Sequence, residues 1–309
     1  MTSFELIEDF EVECCGEEEI WVYDIEVEEH HNFFANDILV HNSNYINFAD
    51  FMNIIRSNKG EISNNDTVKI INNFMIKTLD PIIEEEFNNV AKRMNYRENR
   101  IWMSRECISK AGIWTGKGKY CLYVLDKEGV TYKEPQLKVT GLQTVSKATP
   151  ASVKPFLRSV LTKILEKEDI SQYIKECRKK YDTFTAEQVA FPRGANNFEK
   201  WYQEKGIKKG TPIAVKASFI FNRYIDLKNL ESQYTKIKSG DKIKYTYLRQ
   251  PNLTESSVIG FLRRLPEELH KYVDFDMMYY KSFMSVVESI CDKIGIEYEE
   301  KKVDLNNLF

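Results

Sequence analysis

Apolar positions along the chain change their spacing three times. In the first 42 residues, the stretches 10–13, 19–28 and 33–40 alternate or concentrate β-branched and aromatic side chains, which predicts β-strands. Residues 43–49, Ser-Asn-Tyr-Ile-Asn-Phe-Ala, alternate as well and predict another strand. From 64 to 94 the spacing becomes helical. Val68, Ile71, Met75, Leu79, Ile82, Ile83, Phe87 and Val90 recur at helical steps, with a cap from Asn64 to Asp66 and a kink at Pro81. Strands are predicted at 98–109, 119–125 and 130–132, the last following the turn Asp126-Lys127-Glu128-Gly129. Thr149 as N-cap and Pro150 as first helical residue open a helix whose stripe is Val153, Phe156, Leu157, Val160, Leu161, Ile164 and Leu165. Further helices are predicted near 170–181, 196–204, 212–224 and 276–295, with a strand at 242–249. The class is α+β, with the second half mostly helical.

Charge divides the chain more sharply than hydropathy does. Residues 1–42 hold thirteen Asp and Glu and no Lys or Arg, whereas the 267 residues after them hold all 44 Lys and Arg against 34 acids. The formal charges are −13 and +10, which the overall −3 conceals. The boundary reads His41-Asn42-Ser43. An Asn side-chain amide can attack its own carbonyl and break the chain after itself. His41 can move protons near neutral pH, and Ser43 can accept an acyl group and pass it to its own freed amine. The tripeptide alone is a weak signal and reads first as a polar turn. No run of 18 apolar residues predicts a membrane span, and the acidic N-terminus lacks the apolar region of a signal peptide. Six cysteines without metal-like spacing, and His270 alone beyond residue 41, argue against zinc and fit reduced thiols in a cytoplasm.

The stretch from Val22 to Asn42, with Val22-Tyr23-Asp24 and His31-Asn32-Phe33-Phe34-Ala35-Asn36 ahead of the tripeptide, strongly resembles the two C-terminal motifs of inteins. The resemblance implies that Asp24 and His31 assist the acyl shifts, His41 is the penultimate histidine, Asn42 cyclises, and Ser43 begins the C-extein. An intein also needs an N-terminal part, which 42 residues cannot hold. Residues 1–42 therefore resemble the C-terminal segment of a split intein, half of an all-β Hint fold, splicing in trans. Strands with unpaired edges and no positive charge suit a basic partner segment.

Downstream, Ile113-Trp114-Thr115-Gly116-Lys117-Gly118-Lys119-Tyr120 places lysines on a Gly-rich turn before a strand, where they can reach phosphates while Tyr120 packs on sugar or base. Alone, this is a basic hairpin turn. In order with it stand Ser43-Asn44-Tyr45-Ile46-Asn47-Phe48, Arg105-Glu106, Glu134-Pro135-Gln136-Leu137-Lys138-Val139-Thr140-Gly141-Leu142, Ala148-Thr149-Pro150, and the passage from Thr211-Pro212-Ile213 to Phe221-Asn222-Arg223. Together they resemble the C-terminal part of family B DNA polymerases, nearest those of T-even-like bacteriophages, across nearly all 267 residues.

The resemblance implies a partial palm (an antiparallel sheet with helices) over 43–145, a mostly helical thumb over 146–302, and a tail over 303–309. Ser43 would follow the paired catalytic aspartates, and Glu106 would be a palm carboxylate near them. Lys117, Lys119 and Tyr120 would contact primer–template DNA, with Gly118 where the family usually has Lys. Lys138 and Gly141 would line the primer strand, and Asn196, Asn197, Lys216 and Arg223 would frame the duplex. Leu305, Leu308 and Phe309 resemble a sliding-clamp-binding tail, although the same residues also read as a frayed terminus. Mg²⁺ would be held mainly by aspartates on the N-terminal polymerase half, the partner that carries the other intein segment. DNA, dNTP and the sliding clamp complete the expected partners.

Overall fold

The structure is a computed structural model that describes residues 32–35, 38–41, 45–100, 102–116, 118–142, 146–203 and 206–298. The expectations for Asp24, His31, Asn42 and Ser43, for Lys117, and for Leu305, Leu308 and Phe309 lie outside those residues. The chain divides into two compact units, residues 1–60 and 61–309.

In the first unit, β1 (Asn32–Ala35) pairs antiparallel with β2 (Ile38–His41), Asn32 opposite His41 and Ala35 opposite Ile38. The expected strand over 43–49 is not found in its described part. Residues 45–48 carry no regular structure, and helix α1 (Ala49–Lys59) starts directly after them. The Asn47 side chain accepts a hydrogen bond from the Ala49 amide at 2.8 Å, so a local contact of the kind that opens helices prevails over the alternating pattern.

The second unit opens with α2 (Asn64–Phe74), a π-turn (Met75–Leu79) and α3 (Asp80–Arg93). The expected helix is present, and its cap sits one residue earlier, where the Ser63 hydroxyl accepts from the Asp66 amide at 3.1 Å. Pro81 has no amide hydrogen to offer the carbonyl of Lys77, and the helical ladder widens just ahead of it.

Three strands follow in the antiparallel order β3 (Cys107–Gly116), β4 (Lys119–Lys127) and β5 (Val130–Thr140). The strand expected at 98–109 is displaced to 107–116. A stretch holding Gly112 reads poorly as strand, but here the glycine makes room: a Cβ on it would lie 2.6 Å from the Trp114 ring and 2.8 Å from Leu122. β5 runs well past residue 132. Its Pro135 is tolerated on an edge strand, in the irregular stretch between the Val124–Gln136 and Asp126–Thr131 pairs.

Thr149 and Pro150 precede a turn rather than a helix, and α4 (Lys154–Leu165) begins with Pro155 in its first turn. The expected stripe from Val153 to Leu165 is buried throughout. There follow α5 (Ser171–Tyr181), α6 (Ala186–Val189), β6 (Phe191–Ala195), α7 (Phe198–Trp201), β7 (Tyr202–Gln203), β8 (Gly206–Ile207) and α8 (Ile213–Leu227). Then come β9 (Asp241–Tyr247), β10 (Val258–Phe261), α9 (Glu267–His270), α10 (Phe275–Tyr279), a π-turn (Tyr280–Met284) and α11 (Ser285–Ile294).

The helix expected over 196–204 is only the short α7. The region expected to be mostly helical also holds a second antiparallel sheet, β10–β9–β6. Helix α8 lies against that sheet closely enough that a Cβ on Gly260 would meet the Ala217 carbonyl oxygen at 3.3 Å. One apolar core joins α4, α5, α8, α10 and α11 to both sheets, and Ile113, Cys121 and Leu142 carry it into the first sheet. Burial pushes the Cys121, Cys177 and Cys291 thiols up to about 11, so these cysteines pack rather than react. Among the described residues, no helix is long and apolar enough to cross a membrane.

Candidate functional site

The register of the first sheet assigns its two faces. Across the three strands, Ala111, Tyr123 and Leu137 form one row and Ile113, Cys121 and Val139 belong to the next. All of these turn to the helical core. The Tyr123 hydroxyl reinforces that contact by donating to Glu166 at 2.8 Å, and Arg158 donates to the Leu137 carbonyl at 3.3 Å. The opposite face carries the rows Trp114–Tyr120–Thr140 and Gly112–Leu122–Lys138. Side chains two apart on a strand share a face, so these six residues form one surface.

On that surface the structure brings together residues that the sequence assigned to different roles. Lys138 Nζ donates to Glu106 Oε1 at 2.5 Å. Burial works to lower the Lys138 pKa, but the Glu106 hydrogen bond and charge outweigh it and the ammonium is held above its ordinary value. Because both groups are partly exposed, the pair is worth no more than about 1 kcal/mol. Its contribution is to fix a charge pattern on the sheet face. Beside it stands Trp114, 48 % exposed, a residue of the Ile113–Tyr120 motif to which the sequence alone gives no role. Its position over Gly112 and opposite Tyr120 depends on strand pairing, so spacing alone could not reveal it.

The turn joining β3 to β4 is held by two glycines. Gly118 has φ +62° and Gly141 has φ +63°, and a Cβ on Gly141 would lie 2.1 Å from the Gly118 carbonyl oxygen. Lys119 sits beside them, with its Cγ 3.2 Å from the same point and its carbonyl accepting from Thr115 at 3.3 Å. Gly118 thus provides a backbone shape and a close contact at this turn.

Arg105, next to Glu106, is the buried support of this face. Its Nε donates to Asn72 Oδ1 on α2 at 2.9 Å, and its Nη1 lies 2.6 Å from Asp126 Oδ1. The second contact is ionic in character, since Nη1 finds no hydrogen bond of good angle. Asp126, 1 % exposed, also accepts from the Thr131 hydroxyl at 2.8 Å and the Gly129 amide at 3.1 Å. Burial pushes its pKa up, but the Thr131 hydrogen bond, the Arg105 guanidinium beside it and the Gly129 amide bring it below the ordinary carboxylate value. A depressed folded-state pKa means that this stabilisation is full above the unfolded pKa and is lost as pH falls through the folded one. Arg105→Ala, which strands a buried carboxylate, is expected to cost roughly 3–5 kcal/mol, read as a lower urea midpoint at neutral pH. The penalty should shrink at acid pH as Asp126 takes a proton.

The thumb-assigned residues fall in a second place. Lys216 and Arg223 are exposed on α8, two turns apart, with half-buried Phe219 between them. Phe219 meets Phe198 at 4.7 Å and Tyr202 at 5.3 Å between ring centroids, which sets the 198–202 segment against α8. Asn196 and Asn197 are exposed just ahead, Asn197 in the left-handed conformation that opens α7. Lys200, whose ammonium lies 5.2 Å from the Trp201 ring centroid, and Lys208, which donates to the Lys200 carbonyl at 2.7 Å, add two cations that the sequence reading did not name. The Arg223 guanidinium also donates to the Thr254 carbonyl at 3.1 Å and so braces a loop. Among the described residues, no group of three or more His, Cys, Asp or Glu is placed to hold a metal ion.

The chain is similar in sequence to DNA-directed DNA polymerases. It is 28% identical over 254 residues to the DNA-directed DNA polymerase of Enterobacteria phage T4, which covers 77% of this chain and 28% of that protein. It is 26% identical over 261 residues to the DNA-directed DNA polymerase of Escherichia phage RB69, covering 79% and 28%. A DNA polymerase of Thermococcus litoralis is 25% identical over 281 residues, 91% of this chain and 14% of that protein. No family model matches the chain. The chain thus spans under a third of the length of these relatives. A continuous match to 77% of the chain takes in every residue from Glu106 to Arg223, so both surfaces lie within the related part. The archaeal match is longer than the 267 residues after Asn42, so it also takes in part of the acidic segment.

Proposed function

We propose that residues 43–309 are the palm end and thumb of a split DNA-directed DNA polymerase, and that residues 1–42 ligate them in trans to the half carrying the catalytic aspartates. The observation that carries the polymerase reading is the sheet face. Tyr120 and Trp114 present aromatic rings beside the Lys138–Glu106 pair, and Lys119 adds a cation at the mouth of the sheet, within the stretch similar to the phage polymerases. Lysines of this kind grip phosphates without reading sequence, and ring faces pack on sugars or bases. The formal +10 of residues 43–309 suits the same task, as do Lys216, Lys200 and Lys208 on the second surface. The ligation reading rests on the intein-like stretch from Val22 to Asn42 and on the archaeal match that crosses the junction.

Mg²⁺, which acidifies a primer hydroxyl and offsets charge on a transferring phosphoryl group, would be held by aspartates of the N-terminal half. This chain's residues bind and align the duplex, and Glu106 with Lys138 sets the charge pattern next to that centre. The substrates are primer–template DNA and dNTP. Leu305, Leu308 and Phe309 would engage a sliding clamp, and the setting would be cytoplasmic.

Mixing the chain with its N-terminal half tests the whole reading. The expected result is a ligated chain, identified by mass, that extends a primed template. A mixture giving no ligated chain refutes splicing, and a ligated chain that extends no primer refutes the polymerase assignment. The second reading, in which the halves associate without ligation, predicts primer extension with no product of added mass. DNA binding should weaken steeply with salt. Lys119→Ala is expected to lower affinity for all duplex sequences alike and reduce the slope of log K against log salt by about 1, measured by fluorescence anisotropy.

A further inference from the structure

The stripe on α4 and the one running through the π-turn and α3 have the same spacing and opposite fates. Met75, Leu79, Ile83, Phe87, Val90 and Met94 recur at steps of three and four. Yet Met75, Leu79, Ile83, Phe87 and Val90 are only half-buried and Met94 is exposed, and Ala91 is the only buried residue between Met75 and Arg93. Ile76 is 60 % exposed and Ile82 54 %, and Trp102, a few residues past the helix, is 82 % exposed. Among the described residues, the only extensive neighbour of α3 is the π-turn that leads into it. An apolar surface of this length is unusual on a protein that works alone.

We propose that this face is where the N-terminal polymerase half docks before the chains are joined. The inference rests on the function proposed above and names the surface its partner uses. The length of related protein outside this chain argues for that occupant. A match to 77% of the chain necessarily includes α3 and Trp102, while the phage polymerases continue for more than two-thirds of their length outside the matched part. The helix therefore belongs to a stretch whose relatives supply a large body of further polypeptide, and among the described residues only the π-turn lies extensively against it. Charge gives the face a direction. Asp80, Glu84, Glu85 and Glu86 flank its start, and Lys92, Arg93, Arg97 and Arg100 flank its end, so a partner with the reverse arrangement is favoured in one orientation. Docking here and pairing of the intein segments would each raise the effective concentration for the other, so two modest contacts give one tight complex.

The test uses the full chain carrying Asn42→Ala and Ser43→Ala together, so that neither acyl transfer nor cleavage accompanies association, and the intact N-terminal half as the probe. Calorimetry gives the dissociation constant with and without Ile76→Asp and Ile82→Asp together, and separately with Trp102→Ala. The pair is expected to weaken association about tenfold or more, with an unchanged thermal melt because these side chains are exposed already. A dissociation constant changed less than about twofold by all three substitutions overturns the proposal. So does a chain that dimerises by itself through this face, with the dimer dispersed by the same substitutions and the affinity for the partner unmoved. Primer extension by the ligated wild-type chain judges the polymerase reading separately. A ligated polymerase that is active while the substitutions leave affinity intact removes the docking inference alone.

Discussion

Replacing Asn42 with Ala is expected to halt the pair at a branched ester, with the acyl group of the N-terminal half on the Ser43 hydroxyl and residues 1–42 still attached, and to yield no chain joined by a peptide bond at Ser43. Asn42 is the one residue at the junction whose side chain can attack its own carbonyl carbon, and that attack is what releases the chain after it. The acceleration of a well-placed intramolecular nucleophile is on the order of 10⁵-fold or more, and no neighbouring group replaces it. Ser43→Ala should fail differently. The acyl group then has no hydroxyl to move to, but Asn42 can still cyclise, so the expected products are separate pieces cut after Asn42. Mass spectrometry distinguishes the two outcomes. If Asn42→Ala ligates as the wild type does, the splicing reading is wrong whatever the polymerase part does.

The second large effect is expected at Gly141. An Ala there must adopt φ near +63° and place its Cβ 2.1 Å from the Gly118 carbonyl oxygen, which is backbone and cannot swing aside. The left-handed conformation alone costs on the order of 1–3 kcal/mol for a non-glycine residue, and the overlap must be relieved by moving the turn that carries Lys119. Duplex DNA binding by the ligated polymerase is therefore expected to fall about tenfold, roughly 1.4 kcal/mol, with ligation yield unchanged. Gly129→Ala is the control. Its φ is +87°, but nothing lies within 4 Å of an added Cβ, so strain without collision should leave DNA affinity as it was. Equal DNA affinities for the two variants would show that the Gly118–Gly141 contact does not present Lys119.

Much of the helical architecture was legible because a helix declares itself through neighbours three and four residues apart. The stripe from Val153 to Leu165 and the helices near 170–181, 212–224 and 276–295 needed no distant information. The strands were harder. The 107–116 strand contains Gly112, which only the Trp114 ring and Leu122 explain, and the second sheet unites β6 with β9 and β10 across tens of residues. Among the described residues of the alternating 43–49 stretch none pairs as a strand, and a helix begins at Ala49.

The candidate site divides the same way. Lys119, Tyr120, Lys138 and Gly141 could be named from their motifs, because resemblance follows the order of residue types along a chain. Their arrangement could not. Glu106 meets Lys138 at 2.5 Å, Arg105 reaches Asn72 and Asp126, and Gly118 faces Gly141 because strand pairing closed those distances.

By itself, then, the sequence determined the charge break at Asn42, the chemistry available at His41-Asn42-Ser43, the helical stripes and the residue types at the sheet mouth. Only the tertiary structure decided which stripe is covered. The α3 stripe and the α4 stripe share one periodicity, since periodicity is a property of backbone geometry over a few residues. Burial depends on whether another element arrives to cover the face. For α4 the same unit supplies that element, and among the described residues α3 receives only partial cover.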